Sequence, residues 1–575
     1  MTFVHNGEVG FKDQFLDGLV LAYGRFLERI TDTSGVKSVS APEAGRVSVL
    51  IGGGSGHYPA FAGLVGPGFC DGAVVGEIFT SPSSEAVYRC IRSLDSGSGV
   101  LIAFGNYSGD VMNFGLAAER ARLEGIDVRI VLVTDDVASA AGTNKTMRRG
   151  VAGGFFVFRA AAAAAHAGLA LGEVEAIARA VNERTVTFGV AFKGCTFPGR
   201  GEPLFTVNRG QMELGLGIHG EPGLAETPWI PASELGALLV EKLLTERPPR
   251  SERALVLLNG LGATKYEELF VLFASIASSL DRAEITMVRP EIGEFVTSLD
   301  MAGCSLTLCW IDETLEDYLD TPAASPGFRN GSIEINPAVP KEIRGRERFL
   351  ERLPKVGIGY RTPSADLIAN LLTAMRDAIE ANESELGRLD AVAGDGDHGA
   401  GMARGFRGAV GAVAQSGADC SEILVTAGLA FSDEAGGASG AIWGAGLLAA
   451  AGAVREASQG EKSDPTALVI AATSAALEAV MRLGGASPGE KTVIDAMVPF
   501  EICLRLNAEA PVDHAFRESA DAAMNAAKAT AGLESRRGRS AVHGARSIGT
   551  PDPGAMSFAI AMTAAADLLE KRGGY

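Results

Sequence analysis

A chain of 575 residues is too long for one hydrophobic core, so two or more domains are expected. The make-up is globular, 47% apolar and 21% charged, and a net charge of −19 at pH 7 speaks against a nucleic-acid partner, whose phosphates attract basic faces. Cys70, Cys90, Cys195, Cys304, Cys309, Cys420 and Cys503 show neither a CxxC pair nor zinc spacing and read as reduced thiols of a cytoplasmic protein.

In chain order, the opening "MTFVHNGEVGFKDQF" lacks the basic-then-apolar order of a secretion signal. Residues 1–335 read as an α/β domain. Short aliphatic runs end in glycine loops and lead into helical patterns: "VSVLI" before "GGGSGH", "GVLIAF" before "GNYSGD", "VRIVLV" before "TDD", "ALVLL" before "NGLGAT". Such runs predict parallel strands covered on both faces, with ligands at the strands' carboxyl ends. The run "AAAAAA" at 160–165 predicts helix.

Two of those loops and a third glycine-rich one carry chemistry. His57 follows the first glycine turn, Asp110 follows "GNYSG", and His219 sits in "ELGLGIHGEPG". Any one histidine can simply satisfy a local backbone bond. Together, a His–His–Asp group at strand ends suits proton transfer and nucleophilic attack on a carbonyl. The first loop is not a dinucleotide fingerprint, because its third required glycine is His57.

Residues 336–362, rich in proline and charge, read as a linker. From 363 to 575 the strand texture gives way to Ala- and Leu-rich helical spacing. Eight helices are predicted, over 363–382, 402–414, 421–434, 441–457, 466–482, 491–507, 513–530 and 554–571. No apolar run there, "LLAAAGAV" at 447–454 included, reads as long enough to span a bilayer.

At the head of this half, "LDAVAGDGDHG" crowds Asp390, Asp395 and Asp397 among glycines. Carboxylates in that spacing suit a hard cation such as Mg²⁺. An EF-hand is excluded, since its turn glycine would fall on Ala400 and its bidentate Glu on Phe406. The plain alternative is a solvated loop capping the next helix. "GGASGAIWG" (436–444) and "GGASPGEKT" (484–492) could turn backbone amides toward phosphate, and Arg539 and Arg546 could pair with it. There is no GxxxxGK[ST].

Taken together, "GGGSGH", "NYSGDVMNF", "MELGLGIHGEPG" and "NGLGAT", then "LDAVAGDGDHG", "GGASGAIWG", "PGEKTVIDA" and "GRSAVHGARSIGTPDPGA", resemble the dihydroxyacetone kinase family in its single-chain, ATP-dependent form. The resemblance spans nearly the whole chain. It implies a ketose-binding half and a nucleotide half in which Asp390, Asp395 and Asp397 hold Mg²⁺ against the ATP phosphates. His398, Gly399, Ser439, Gly440, Gly484, Thr492, Arg539, Asp552 and Gly554 match nucleotide-site positions. In the ketose half it implies a covalent hemiaminal on His219 and a substrate held by Gly54, Ser55, Gly56 and His57. Asp110 would be the base for the hydroxyl that is phosphorylated. A nucleophilic His219 must offer a lone pair, so activity is expected to fall as it protonates.

Three positions depart from the family pattern: Gly105 where Lys is common, Tyr58 in place of Glu, and Gly401 in place of Asn. The first two are expected to open the sugar pocket near Asp110 and favour a ketotetrose such as erythrulose. Rival readings are a nucleotide half that cleaves flavin adenine dinucleotide to cyclic flavin mononucleotide, and a ketose sensor without catalysis. The resemblance also implies a homodimer with the domains exchanged between chains, and no membrane partner.

Overall fold

The computed structural model describes residues 4–7, 10–333, 362–394, 396–414, 419–457, 465–537 and 546–571. Apart from residues 83–85, which group with the second, two compact units divide between residues 344 and 345. The predicted linker, apart from Thr362, lies outside the described residues.

The first unit is built on two six-stranded sheets. One contains β1 (Leu27–Arg29), β2 (Gly35–Ser38), β3 (Ser48–Ser55), β4 (Gly72–Ile78), β5 (Val100–Gly105) and β6 (Val128–Val133), in the order β1-β2-β4-β3-β5-β6. The four strands β4, β3, β5 and β6 are parallel, as the apolar runs predict, and β2 and then β1 extend the β4 side antiparallel. Alternation along β3 serves two cores: Val49 and Ile51 join one, Leu50 the other.

The second sheet contains β7 (Thr185–Lys193), β8 (Gln211–Leu214), β9 (Ala225–Pro228), β10 (Arg253–Gly260), β11 (Thr286–Gly293) and β12 (Ala302–Trp310), in the order β11-β10-β12-β7-β8-β9. Here the parallel expectation needs correcting. Only β10 and β11 run parallel; the β10–β12, β12–β7, β7–β8 and β8–β9 pairs are antiparallel. Apolar runs report burial on both faces, which an inner antiparallel strand shares, and carry no sign of direction. The alanine run lies in the helix Gly154–His166, buried from Gly154 through Ala165 in the core that both sheets share. Small side chains let that helix approach its neighbours closely.

The second unit is helical. All eight predicted helices are present: Pro363–Ala381, His398–Val413, Cys420–Ala435, Gly437–Ala457, Pro465–Gly484, Ile494–Leu506, Val512–Ala529 and Pro553–Lys571. The first starts where the local chemistry asks, with Thr362 capping the Ala365 amide (3.2 Å) and Pro363 in the first turn. A ninth, Glu383–Asp390, was not predicted, because only Leu386 and Leu389 are apolar among its eight residues, too few to show an apolar period. It matters, since it ends on Asp390.

The expectation that no segment could span a bilayer also needs correcting. Gly437–Ala457 and Pro465–Gly484 are long and apolar enough by length and composition. The first spends that character inside the bundle, where Gly440 and Gly444 let its backbone close on Ser432 and Trp443 stacks on Phe431 at 5.5 Å.

Candidate active site

The carboxyl ends of β3 and β5 and the loop after β8 meet at one cavity. Gly52, Gly53, Gly54, His57, Gly105, Tyr107, Asp110, Gly150 and His219 are on its wall. His57, Asp110, His219 and Gly54, all singled out from sequence, are therefore brought together. Ser55 and Gly56 connect Gly54 to His57; Gly56 takes φ +97°, a left-handed turn that a side chain would strain. The register of β3 on β4 shifts between Gly54 and Ser55, and the strand ends there. Asp110 lies in the first turn of the helix Ser108–Leu123.

The two histidines face each other, Nε2 to Nε2, at 3.0 Å. Nδ1 of His57 lies 2.7 Å from the carbonyl of Thr297 and must donate to it. Burial and the neighbouring His219 push the His57 pKa down to about 3, so its ring is neutral and its Nε2 carries a lone pair. The hydrogen bond between the rings then needs its proton on His219. At the other end of that ring, Nδ1 is 3.0 Å from Glu221 Oε1, again a group that only accepts. The geometry thus offers an acceptor to each ring nitrogen of His219, one of them an anion. Burial pushes the Glu221 carboxyl up, but His219 and Arg149 more than offset this and hold it well below the usual carboxylate range.

The loops are fastened from behind. Asn259, at the end of β10, accepts from the amides of Phe295 (2.8 Å) and Val296 (2.9 Å), fixing the segment that carries Thr297. Ser298 Oγ donates to the carbonyl of Ile218 at 2.6 Å, fixing the segment that carries His219. Neither Asn259 nor Glu221 was given a role from sequence, although both lie inside quoted motifs, in "NGLGAT" and "HGEPG". The signal was local: a carboxylate two residues from a candidate histidine.

The departures from the family pattern separate. Gly105 is on the cavity wall, and a Cβ there would stand 2.9 Å from the Tyr107 ring. Tyr107 is tied by its hydroxyl to the Gly150 carbonyl at 3.0 Å and meets the His219 ring edge-on. Tyr58 instead turns its ring to Phe15, centroids 5.8 Å apart, and is 37% exposed. Its exchange for Glu does not enlarge the cavity, which corrects the expectation for that position.

In the helical unit, Asp390, Gly394, Lys491, Ser547, Thr550 and Asp552 line a second cavity. Burial pushes the Asp552 carboxyl up to about 7, with Asp495 and Asp390 adding to the rise, while its Oδ1 caps the helix Pro553–Lys571 at the Ala555 amide (2.7 Å). Carboxylates crowded together in this way fit a hard divalent cation. Asp390 Oδ2 also accepts from the His398 amide at 3.3 Å, and Asp397 stands at the N-terminus of the helix His398–Val413. Asp395 and Arg539 lie outside the described residues, and among the described residues no three His, Cys, Asp or Glu side chains form a metal cluster.

His398 is half-buried; desolvation pushes it down to about 4, leaving a neutral ring between Ser557 (2.9 Å) and Ser439 (3.3 Å). Gly399 packs against the helix Glu383–Asp390, where a Cβ would stand 2.0 Å from the Glu383 carbonyl; Gly440 similarly approaches Ser432. Thr492 donates its amide to Asp495 at 2.8 Å. Gly484 closes its helix with open space around it, and Gly554 stands beside Asp552. Lys491, unassigned from sequence, is buried and donates to the carbonyls of Leu533 (3.0 Å) and Ser547.

The Dak1 domain family matches residues 17–327 and the DAK2 domain family residues 392–567. An L-erythrulose 1-kinase of Mycolicibacterium smegmatis is 46% identical over 99% of this chain and 100% of its own. The chain belongs to the dihydroxyacetone kinase family. Another relative, a D-erythrulose kinase of the same organism, is 47% identical over 99% of both chains. Among solved structures, the dihydroxyacetone kinase of C. freundii superposes with a TM-score of 0.53 at 28% identity, covering 99% of both chains. That enzyme has also been solved in complex with AMP-PNP and Mg²⁺. The family thus spans both units, the α/β unit with mixed sheets and the helical unit after it.

Proposed function

We propose that this ketose kinase transfers the γ-phosphoryl group of ATP to a terminal hydroxyl of a ketotetrose such as erythrulose, held covalently on His219. The observation that carries the reading is the 3.0 Å contact between the two Nε2 atoms on a wall shared with Asp110. One proton lies between the rings. As His219 Nε2 attacks the ketone carbon, a C–N bond forms and the C=O π pair moves to oxygen. The proton passes through His57 Nε2 onto that oxygen, giving the hemiaminal hydroxyl. On this reading a proton on His219 Nε2 does not by itself stop the reaction, unlike the simple expectation from the sequence, because His57 takes it and the lone pair is supplied within the pair. Glycerol, with no carbonyl to accept the nucleophile, is rejected by chemistry rather than by size.

Asp110 then takes the proton of the terminal hydroxyl as that hydroxyl's oxygen attacks the γ-phosphorus, the bond to the bridging oxygen breaks and ADP leaves. In the helical unit, Asp390, Asp395 and Asp397 would hold Mg²⁺, which when bound neutralises charge on the ATP phosphates. His398, Ser439 and the glycines beside them would shape the nucleotide pocket. We place the enzyme in the cytoplasm as a homodimer. A coupled ADP-release assay with erythrulose, dihydroxyacetone, glyceraldehyde and glycerol tests the reading. ADP release that depends on a ketose supports it; none with any carbonyl compound removes it in favour of a flavin-nucleotide lyase or a sensor.

Preference for the longer ketose rests on Gly105. Gly105→Lys would press on the tied Tyr107 ring and put an ammonium into the cavity. The variant is expected to lose about tenfold in kcat/KM for erythrulose relative to dihydroxyacetone. An unchanged ratio in paired kinetics would remove Gly105 from the account of specificity.

A further inference from the structure

We infer that Glu221, backed by the Arg149–Asp136 ion pair, is the positioning residue that fixes the proton on His219 Nδ1 and keeps the charge of the site constant through ketone capture. The inference rests on the reading of His219 as nucleophile. Both oxygens of Glu221 are committed to that residue: Oε1 lies 3.0 Å from Nδ1, and Oε2 accepts from the His219 amide at 3.0 Å. Ring and backbone are gripped by one carboxylate.

Behind Glu221 stands Arg149. It binds Asp136 Oδ2 through Nη2 at 2.7 Å and Nε at 2.9 Å, and donates to the Gly215 carbonyl at 3.2 Å. Its Nη1 is buried without a hydrogen bond and lies 3.9 Å from Glu221 Oε2. Gly217 permits this approach, because a Cβ there would stand 2.1 Å from Glu221 Oε2 and 2.6 Å from Arg149 Nη1. The "TDD" run after β6 thereby gains a purpose. Asp135 accepts from the amides of Val151 (2.8 Å) and Gly153 (2.7 Å), next to Gly150 on the cavity wall, and Asp136 aims Arg149.

The charge count shows what the arrangement does. Before capture, His219 carries a proton on each ring nitrogen and Glu221 a negative charge. Afterwards Nε2 is bonded to carbon, Nδ1 still carries its proton, and the ring is again a cation beside the same carboxylate. The proton lost from Nε2 is on the hemiaminal oxygen. No ion crosses into or out of the buried site, so none has to be desolvated during the step. An amide at position 221 could not balance either state.

Histidine labelled with ¹⁵N tests this in the full chain without ketose, with the His219 signals identified by their absence from a His219→Asn spectrum. The wild type is expected to show both His219 ring nitrogens protonated. Glu221→Gln is expected to lose one of those protons, and its KM for the ketose should rise about ten- to a hundredfold while KM for ATP stays unchanged. Glu221→Asp, which keeps the carboxylate, should retain the doubly protonated ring and part of the activity. A Glu221→Gln protein with an unchanged His219 spectrum and an unchanged ketose KM overturns the inference. Absence of a C–N bond in wild type given carbonyl-labelled ketose would remove the nucleophile reading, and the free-protein spectrum would still decide the role of Glu221.

Discussion

His219→Ala is expected to lower ketose turnover by about a thousandfold or more, on the scale of losing a catalytic nucleophile. The side chain is held at both ring nitrogens and at its backbone amide, and each of those contacts serves the orientation of one ring. Removing it leaves a cavity still walled by Gly54, Asp110 and Tyr107, so ketose can enter but is not fixed. The residual activity should then treat ketones and polyols more evenly, because the chemical filter has gone with the imidazole. Steady-state kinetics with erythrulose and glycerol read both effects. Turnover near the wild-type rate, with the ketone preference intact, would show that binding alone selects the substrate.

Asp390→Asn is expected to lower kcat by about a hundredfold or more and raise KM for Mg-ATP, by analogy with losing one preorganised charged group around a transition state. Ketose capture on the other unit should be unchanged, which separates the two halves of the reaction. The same substitution removes a like charge near Asp552, whose carboxyl is already pushed up to about 7. Without nucleotide and metal, the variant should therefore unfold at a temperature no lower than the wild type, and the binding stabilisation from Mg-ATP should shrink. Thermal unfolding with and without Mg-ATP measures both. A variant with normal kcat and a full ligand-induced shift would place the metal elsewhere.

The parts legible in the sequence are those whose cause is local. Helix periodicity located eight helices because each buries an apolar stripe, and glycine turns after aliphatic runs located His57 and Asp110 because strand ends are where loops converge. Strand direction in the second sheet was not legible, since pairing partners such as Leu257 and Thr307 are fixed by tertiary contact. The short helix before Asp390 was hidden by its polarity. Glu221, Arg149 and Asp136 lie in three separate segments, and only the fold shows that they form one chain of charge behind His219. Tyr58 misled because adjacency to His57 in sequence suggests adjacency in the pocket, while the turn at Gly56 and the packing on Phe15 carry its ring away.

The central claim is a bond, and a crystal soaked with erythrulose in the absence of nucleotide tests it most directly. Continuous density joining His219 Nε2 to a tetrahedral ketose carbon, with His57 against the new hydroxyl, is the expected result. A planar ketone resting at van der Waals distance from an unmodified ring would contradict it.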